Sequence, residues 1–235
     1  RRTGNFGRSD VDIRGLGNNC RQIAVLVDGK PEKMGLFGCA VSHAFPLDNV
    51  ERIEIIKGPA SVLYGGEALG GVVNIITRMP QQRNETDLSV SLGDFQTRLF
   101  NVRQGGRLGK ICYAFSVDQR SSDGHVPNSR YDGLSLTSGF QADLSDRDTI
   151  RIHAKYFSGS KQEPGPIHQP VDGLWNDYRR GAADLTYTRE GIRGNLSLKL
   201  YHNFGNHEFS DGWQSTDYTH GFMARYTAEI FSSHH

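Results

Sequence analysis

No stretch of this chain approaches the ~20 consecutive apolar residues that a transmembrane helix requires, and mean hydropathy is negative. Helical membrane spans are excluded. A β-barrel is not, because a membrane strand shows lipid only every second residue while its inner face stays polar. Neither sign of charge dominates: 27 basic and 26 acidic residues leave a net charge of +1. A phosphate-binding surface wants a basic surplus on one face, so nucleic acid has no electrostatic case. Cysteine is scarce, and Cys20, Cys39 and Cys112 supply neither a dense disulfide framework nor a four-thiolate metal site.

Catalytic motifs are also missing. There is no G-x-S-x-G, H-E-x-x-H or C-x-x-C. The run Gly65-Gly66-Glu67-Ala68-Leu69-Gly70-Gly71 is followed by Val72-Val73 and so lacks the Lys-Ser/Thr pair of a phosphate loop. It leads into a strand, whereas a dinucleotide fingerprint opens a helix. Gly105-Gly106-Arg107-Leu108-Gly109-Lys110 has the wrong glycine spacing, and both segments read as tight turns. Asp143, Asp146 and Asp148 cluster in a turn that Asx chemistry explains. No enzyme activity and no cofactor are expected.

What is present changes texture near Met79-Pro80-Gln81-Gln82-Arg83. Before it the apolar runs are continuous (Ile23 to Val27, Val50 to Ile56, Val72 to Ile76), as in strands covered on both faces of a compact mixed α/β domain. After it the pattern alternates with period two, as in Ile111/Tyr113/Phe115/Val117, Leu196/Leu198/Leu200 and Phe222/Ala224/Tyr226. About eight such strands of roughly 9 to 12 residues are expected, the length a tilted membrane strand needs. Links at 105–109, 145–147 and 190–191 are tight, and long polar loops are expected at 120–133, 158–179 and 204–218. Short and long connections in alternation are the habit of an outer-membrane barrel. The expected domains are 1–80 and 81–235.

Residues 50 to 78, VERIEIIKGPASVLYGGEALGGVVNIITR, with Ile13-Arg14-Gly15 and Val25-Leu26-Val27-Asp28-Gly29 upstream, closely resemble the plug domain of TonB-dependent outer-membrane receptors. All three blocks match in order and spacing, in detail over residues 8 to 80 and by general pattern beyond. The resemblance implies a mixed α/β plug segment followed by antiparallel transmembrane strands of a larger barrel, about 22-stranded. An eight-stranded barrel is filled by its own side chains and cannot hold an 80-residue domain. The chain is therefore expected to be a fragment: the C-terminal half of a plug and the first strands of a barrel. Its start, RRTGNFGRSD, has no Met or apolar leader and implies a processed or truncated beginning, and the final His234-His235 end a fragment or belong to a tag.

The same resemblance implies a monomer in the outer membrane of a Gram-negative cell, importing a scarce, bulky ligand. An iron–siderophore chelate leads, with cobalamin, haem, another metal or a glycan as alternatives. Energy would come from the TonB–ExbB–ExbD complex through a segment outside this chain. Ligand contacts are expected on the apical plug loop at Met34, Leu36, Phe37, Cys39, Ser42 and His43. Plug–barrel contacts are expected at Arg14, Glu51, Arg52, Glu54 and Lys57, the alternative being solvated strand charges. A Cys20–Cys39 bridge is open in an oxidising periplasm, against two free buried thiols. His125, His168, His207 and His220 fall in or beside loops, His153 and His202 on strands facing the lumen or packing, and Asp172, Asp177 and Asp211 with Trp175 and Trp213 in loops suited to a sugar or chelate. Two other readings stand beside this one: a soluble β-rich binding module, and a small eight-stranded outer-membrane barrel with a periplasmic appendage.

Overall fold

A computed structural model of the chain describes residues 12–15, 22–33, 45, 49–60, 64, 66–80, 82–165, 168–169 and 171–228. Two sheets organise them. The first contains β1 (Ile23–Val27), β2 (Lys30–Pro31), β3 (Val50–Lys57) and β4 (Gly71–Thr77) in the order β2-β1-β4-β3. Within it β1 runs parallel to β4, whereas β2 and β3 pair antiparallel with β1 and β4. The continuous apolar runs at β1 and β4 are covered as expected, and Leu26 and Val72 are almost wholly buried. With Ala24 and Ala68 they form a small core against which Ala60 and Tyr64 pack.

The run at β3 behaves differently from the expectation of burial on both faces. Ile53, Ile55 and Ile56 are 50%, 55% and 43% exposed, because β3 is the edge of the sheet and no described residue covers it. Entry into β4 depends on Gly71. Its φ of +146° is foreign to L side chains, and a Cβ there would sit 2.4 Å from the Ile56 carbonyl oxygen. A 3-10 turn, Gly66–Ala68, precedes it.

The second sheet is an antiparallel meander of eight strands: β5 (Glu85–Gly93), β6 (Thr97–Leu108), β7 (Ile111–Ser122), β8 (Tyr131–Asp143), β9 (Asp148–Gln162), β10 (Trp175–Gly191), β11 (Gly194–Phe209) and β12 (Gln214–Thr227). Every neighbour pairs in sequence order, while β5 and β12 do not pair with each other. The sheet is thus part of a wall and not a closed eight-stranded barrel. The strands run from 9 to 17 residues, longer than expected, because several continue past the apolar band into polar ends.

Alternation assigns the two faces. In β7, Cys112, Ala114, Ser116 and Asp118 are buried while Ile111, Phe115 and Val117 are exposed. On the outward face Leu88 (67% exposed), Val90, Leu92, Leu200 and Phe222 stand free. A water-soluble domain rarely leaves so much contiguous apolar surface open, whereas lipid requires it.

Connections at one end are tight: 109–110, 144–147 and 192–193. At the other they span 94–96, 123–130, 163–174 and 210–213. Two of the expected long loops exist. The third, 204–218, is instead mostly strand, with Phe209 N–H donating to the Trp213 carbonyl (2.9 Å) to close a four-residue connection. The polarity of His207, Glu208 and Gln214 disguised that ladder. Asp148 closes the 144–147 turn, its carboxylate accepting from the Ser145 hydroxyl at 2.6 Å.

Candidate functional site

The β1–β2 hairpin carries the plug sheet onto the barrel wall. Its turn, Asp28-Gly29, has positive φ at both residues (49° and 78°), the geometry for which Asp-Gly is favoured in a two-residue hairpin. The Asp28 carboxylate accepts from the Thr77 amide (3.0 Å) and hydroxyl (2.7 Å), and Gly29 N–H donates to Asn74 Oδ1. These bonds fix the hairpin to β4, so the side chains beyond the turn face β9–β11 in one orientation.

Those side chains are charged and buried. Lys155 Nζ donates to Glu32 Oε2 at 2.6 Å. Lys30 Nζ lies 3.1 Å from Glu32 Oε1 and 3.8 Å from Asp184 Oδ2, and the Lys30 side chain is fully buried. Lys199 Nζ donates to Asp184 Oδ1 (3.1 Å) and to the Asp28 carbonyl (2.9 Å), closing the ring back onto the turn. Asn203 donates to the Pro31 carbonyl, and Arg180 to the Lys33 carbonyl. Arg180 is held in turn by Asp217 and His207, each 3.1 Å from Nη1. Burial pushes the Glu32 carboxyl up, but Lys155 and Lys30 outweigh it and hold the group below the usual carboxylate range.

Two consequences follow from this chemistry. Among the described residues the plug's apolar core lies within its own sheet, and its contact with the wall is chiefly polar. Buried ion pairs add little net stability against an apolar isostere, yet they demand one geometry. They also release into a wet lumen more readily than an apolar seam, since water replaces each lost partner. Beside them a cavity of about 20 Å³ has Val27, Phe45, Val50 and Ile75 on its plug side and Thr137, His153 and Lys155 on the wall, with Asn49 and Thr77 at its edge. His153 Nδ1 lies 3.7 Å from Asp184 Oδ2, which ties this cavity to the ionic network.

From the 210–213 connection an aromatic series descends to the same place. Trp213 packs edge-on to Phe209 (5.0 Å between centroids), Phe209 to Tyr178 (6.0 Å), and Tyr178 to His207 (4.9 Å). Tyr178, His207 and Phe209 occupy inward positions of β10 and β11. The series therefore lines the lumen from the long-loop end down to Arg180 and the plug.

The expected ligand residues Met34, Leu36, Phe37, Cys39, Ser42 and His43 lie outside the described residues, as does the Cys20–Cys39 pairing. Both flanks of that segment are anchored on the wall: Lys33 by Arg180, and Phe45 by Lys155, whose Nζ stands 5.2 Å from the ring centroid. Arg14 sits in an exposed turn closed by the Gly15 amide donating to Asp12. Arg52 pairs with its strand neighbours Glu51 (2.7 Å) and Glu54 (2.9 Å), all about half exposed, and Asn74 donates to Glu54. Lys57 is exposed at the end of β3. Among the described residues none of these five has an ion-pair partner on the wall; Arg52 alone lines a cleft shared with it.

Sequence reasoning missed Lys30, Glu32, Lys155, Asp184 and Lys199. The available signal was a lone charge between outward apolar neighbours: Lys155 between Ala154 and Tyr156, Asp184 between Ala183 and Leu185, Lys199 between Leu198 and Leu200. Of the two strand histidines expected to face the lumen or to pack, His153 faces inward, and His202 points outward and packs by stacking on His220 (4.4 Å). Cys112 is inward and buried, a free thiol 3.2 Å from Arg107 Nη1.

A small sheet seated by ionic contacts against part of an antiparallel membrane wall is the architecture of a plugged outer-membrane barrel. Residues 1–72 match the family model of the TonB-dependent Receptor Plug Domain. The chain is 35% identical over 155 residues to an iron-regulated outer membrane virulence protein of Vibrio cholerae, covering 63% of this chain and 21% of that protein. It is 35% identical over 111 residues to the vitamin B12 transporter BtuB of Vibrio cholerae, covering 46% and 18%. The unliganded crystal structure of the ferric citrate transporter FecA shares the fold with a TM-score of 0.81 at 18% identity, over 99% of this chain and 40% of that one. Residues 1–72 thus carry the plug domain of TonB-dependent receptors, and the chain as a whole is similar to receptors and transporters of the outer membrane. It spans about a fifth of the length of the curated relatives it matches.

Proposed function

We propose that the protein containing this chain imports a bulky, scarce ligand across the outer membrane, with an iron–siderophore type chelate as its cargo. The carrying observation is the polar seat of the plug: Lys30 and Glu32 exchange charges with Lys155, Asp184 and Lys199 and not apolar surface. Such a contact holds the plug until a force acts and lets it reseat afterwards. Energy would come from the TonB–ExbB–ExbD complex, since ligand binding shifts an equilibrium only by its differential affinity and performs no net transport. The aromatic series from Trp213 to His207 supplies flat surface for an aromatic chelate at the long-loop end. Residues 1–80 act as plug and 81–235 as wall, and Met34, Leu36, Phe37, Cys39, Ser42 and His43, between two anchored flanks, contact cargo. Arg14, Glu51, Arg52, Glu54 and Lys57 meet wall strands outside this chain, which the open edge at β3 leaves room for.

Similarity to both an iron-regulated protein and a vitamin B12 transporter supports cobalamin as the second reading. A strain deleted for the full gene separates them. Iron cargo predicts failure to grow on iron held by a ferric siderophore, with normal growth on limiting cobalamin, and loss of labelled uptake when the proton-motive force is collapsed. The reverse growth pattern identifies cobalamin. Normal growth and uptake on both would end the import reading.

A further inference from the structure

Beneath the plug, at the tight-turn end, a cleft of about 740 Å³ separates β1, β3 and β4 from the wall. Its size falls within the ~300–1,000 Å³ typical of ligand sites. Its lining is not typical, since Ile76 is its single aliphatic side chain. Seven basic side chains face it against four acidic ones. Arg52 is offset by Glu51 and Glu54 and Lys199 by Asp184, which lie just outside the lining, so the local surplus rests on the cations without such partners.

The acids are partly committed. Asp143 is taken by Arg107 at 2.6 Å, and Asp28 by Thr77. Several cations are not. Arg151 is held by the neutral Gln141 Oε1 at 2.9 Å, leaving its charge uncompensated. Lys110 and Arg225 have no ion-pair partner among the described residues. The Thr186 hydroxyl, also on the cleft, is buried without a hydrogen-bond partner. Uncompensated cations on low-dielectric walls focus potential and concentrate anions.

We infer that this cleft is an anion-binding station, taking a multivalent carboxylate- or phosphate-bearing ligand on the inner side of the plug. The inference rests on the import reading and adds the chemistry of the cargo at its exit. An apolar ligand gains nothing there, while a hydrophilic polyanion exchanges water for Arg151, Arg225 and Lys110. Weak, salt-sensitive binding suits an exit: tight capture would hold the cargo back.

The test uses the full-length receptor in detergent micelles at low ionic strength, titrated calorimetrically with citrate as the probe. Citrate is expected to bind in the millimolar range and to lose at least fivefold in affinity in the double variant Arg151→Gln/Arg225→Gln. Arg179→Gln, outward and exposed on β10, is expected to bind as the parent does. Heat-modifiable migration of each variant shows that its barrel is intact, and Lys110→Gln, on a turn, provides a second readout of about twofold. Absence of citrate binding in the parent, or equal affinity in parent and double variant, overturns the inference. Uptake of labelled cargo is measured on the same strains: import without citrate binding refutes the station alone, and citrate binding without import refutes the import reading alone.

Discussion

Asp184→Asn isolates the seat of the plug. The Asp184 side chain is 1% exposed and stands 3.1 Å from Lys199 Nζ and 3.8 Å from Lys30 Nζ. At an effective dielectric constant near 20, Coulomb's law gives about 5 and about 4 kcal/mol for those two attractions, before desolvation is subtracted. Removing one partner of a buried pair typically costs about 3–5 kcal/mol, because the charge left behind stays buried. Asparagine keeps one acceptor for Lys199, so a loss of about 3 kcal/mol is expected. In the full-length receptor it should appear as a lower guanidinium midpoint for plug unfolding and faster tryptic cleavage of the plug. The double variant Asp184→Leu/Lys199→Met, which leaves Lys30 with Glu32, should recover to within about 1 kcal/mol of the parent, as apolar replacements of whole buried pairs do. An Asp184→Asn protein as stable as the parent within about 0.5 kcal/mol would refute the reasoning, since its premise is that this carboxylate is the acidic partner of Lys199 and shares Lys30 with Glu32.

Acid should weaken the same seat. Because Glu32 is held below its unfolded value, its stabilisation is complete above about pH 4.3 and is lost as pH falls through the folded value. Plug stability followed from about pH 6 to pH 3 should show this limb, and Glu32→Gln should flatten it. Gly71→Ala puts a methyl against the Ile56 carbonyl in a strained backbone conformation, costing about 1–3 kcal/mol and loosening β3, which limited proteolysis near 50–57 would report. On the outward face Leu200→Arg should cost about 2–4 kcal/mol in folding titrations into lipid vesicles, while the inward change Ser197→Arg should cost far less. Equal penalties at the two positions would contradict the assignment of faces.

The wall was legible because its signal is collective: alternation over eight strands survives errors at any one residue, and pairing follows chain order. Connection 204–218 was misjudged because polar residues on both faces of a strand look like loop, and only the register Asn206↔Thr216 and His207↔Ser215 reveals the ladder. Plug strands β1 and β4 were legible as continuous apolar runs. β3, VERIEIIK, differs from both in carrying Glu51, Arg52, Glu54 and Lys57 among its isoleucines, a local sign of exposure that reading it as a continuous apolar run passes over. The ionic seat was least legible. Lys30 and Lys155 are separated by 125 positions along the chain and meet only through Glu32, and no local spacing rule connects residues that tertiary structure alone brings together.

That separation has a consequence for biogenesis. The hairpin bearing Lys30 and Glu32 is synthesised first, whereas its partners at Lys155, Asp184, Lys199 and Asn203 emerge 123 to 172 positions later in the pairs that form. Until then two ionised groups have nowhere dry to go, so the early segment must stay hydrated. Contacts of such long sequence separation are slow to form. Assembly of the stave-bearing sheet is thus the event that seats the stopper, and a nascent chain arrested before residue 199 would leave it adrift.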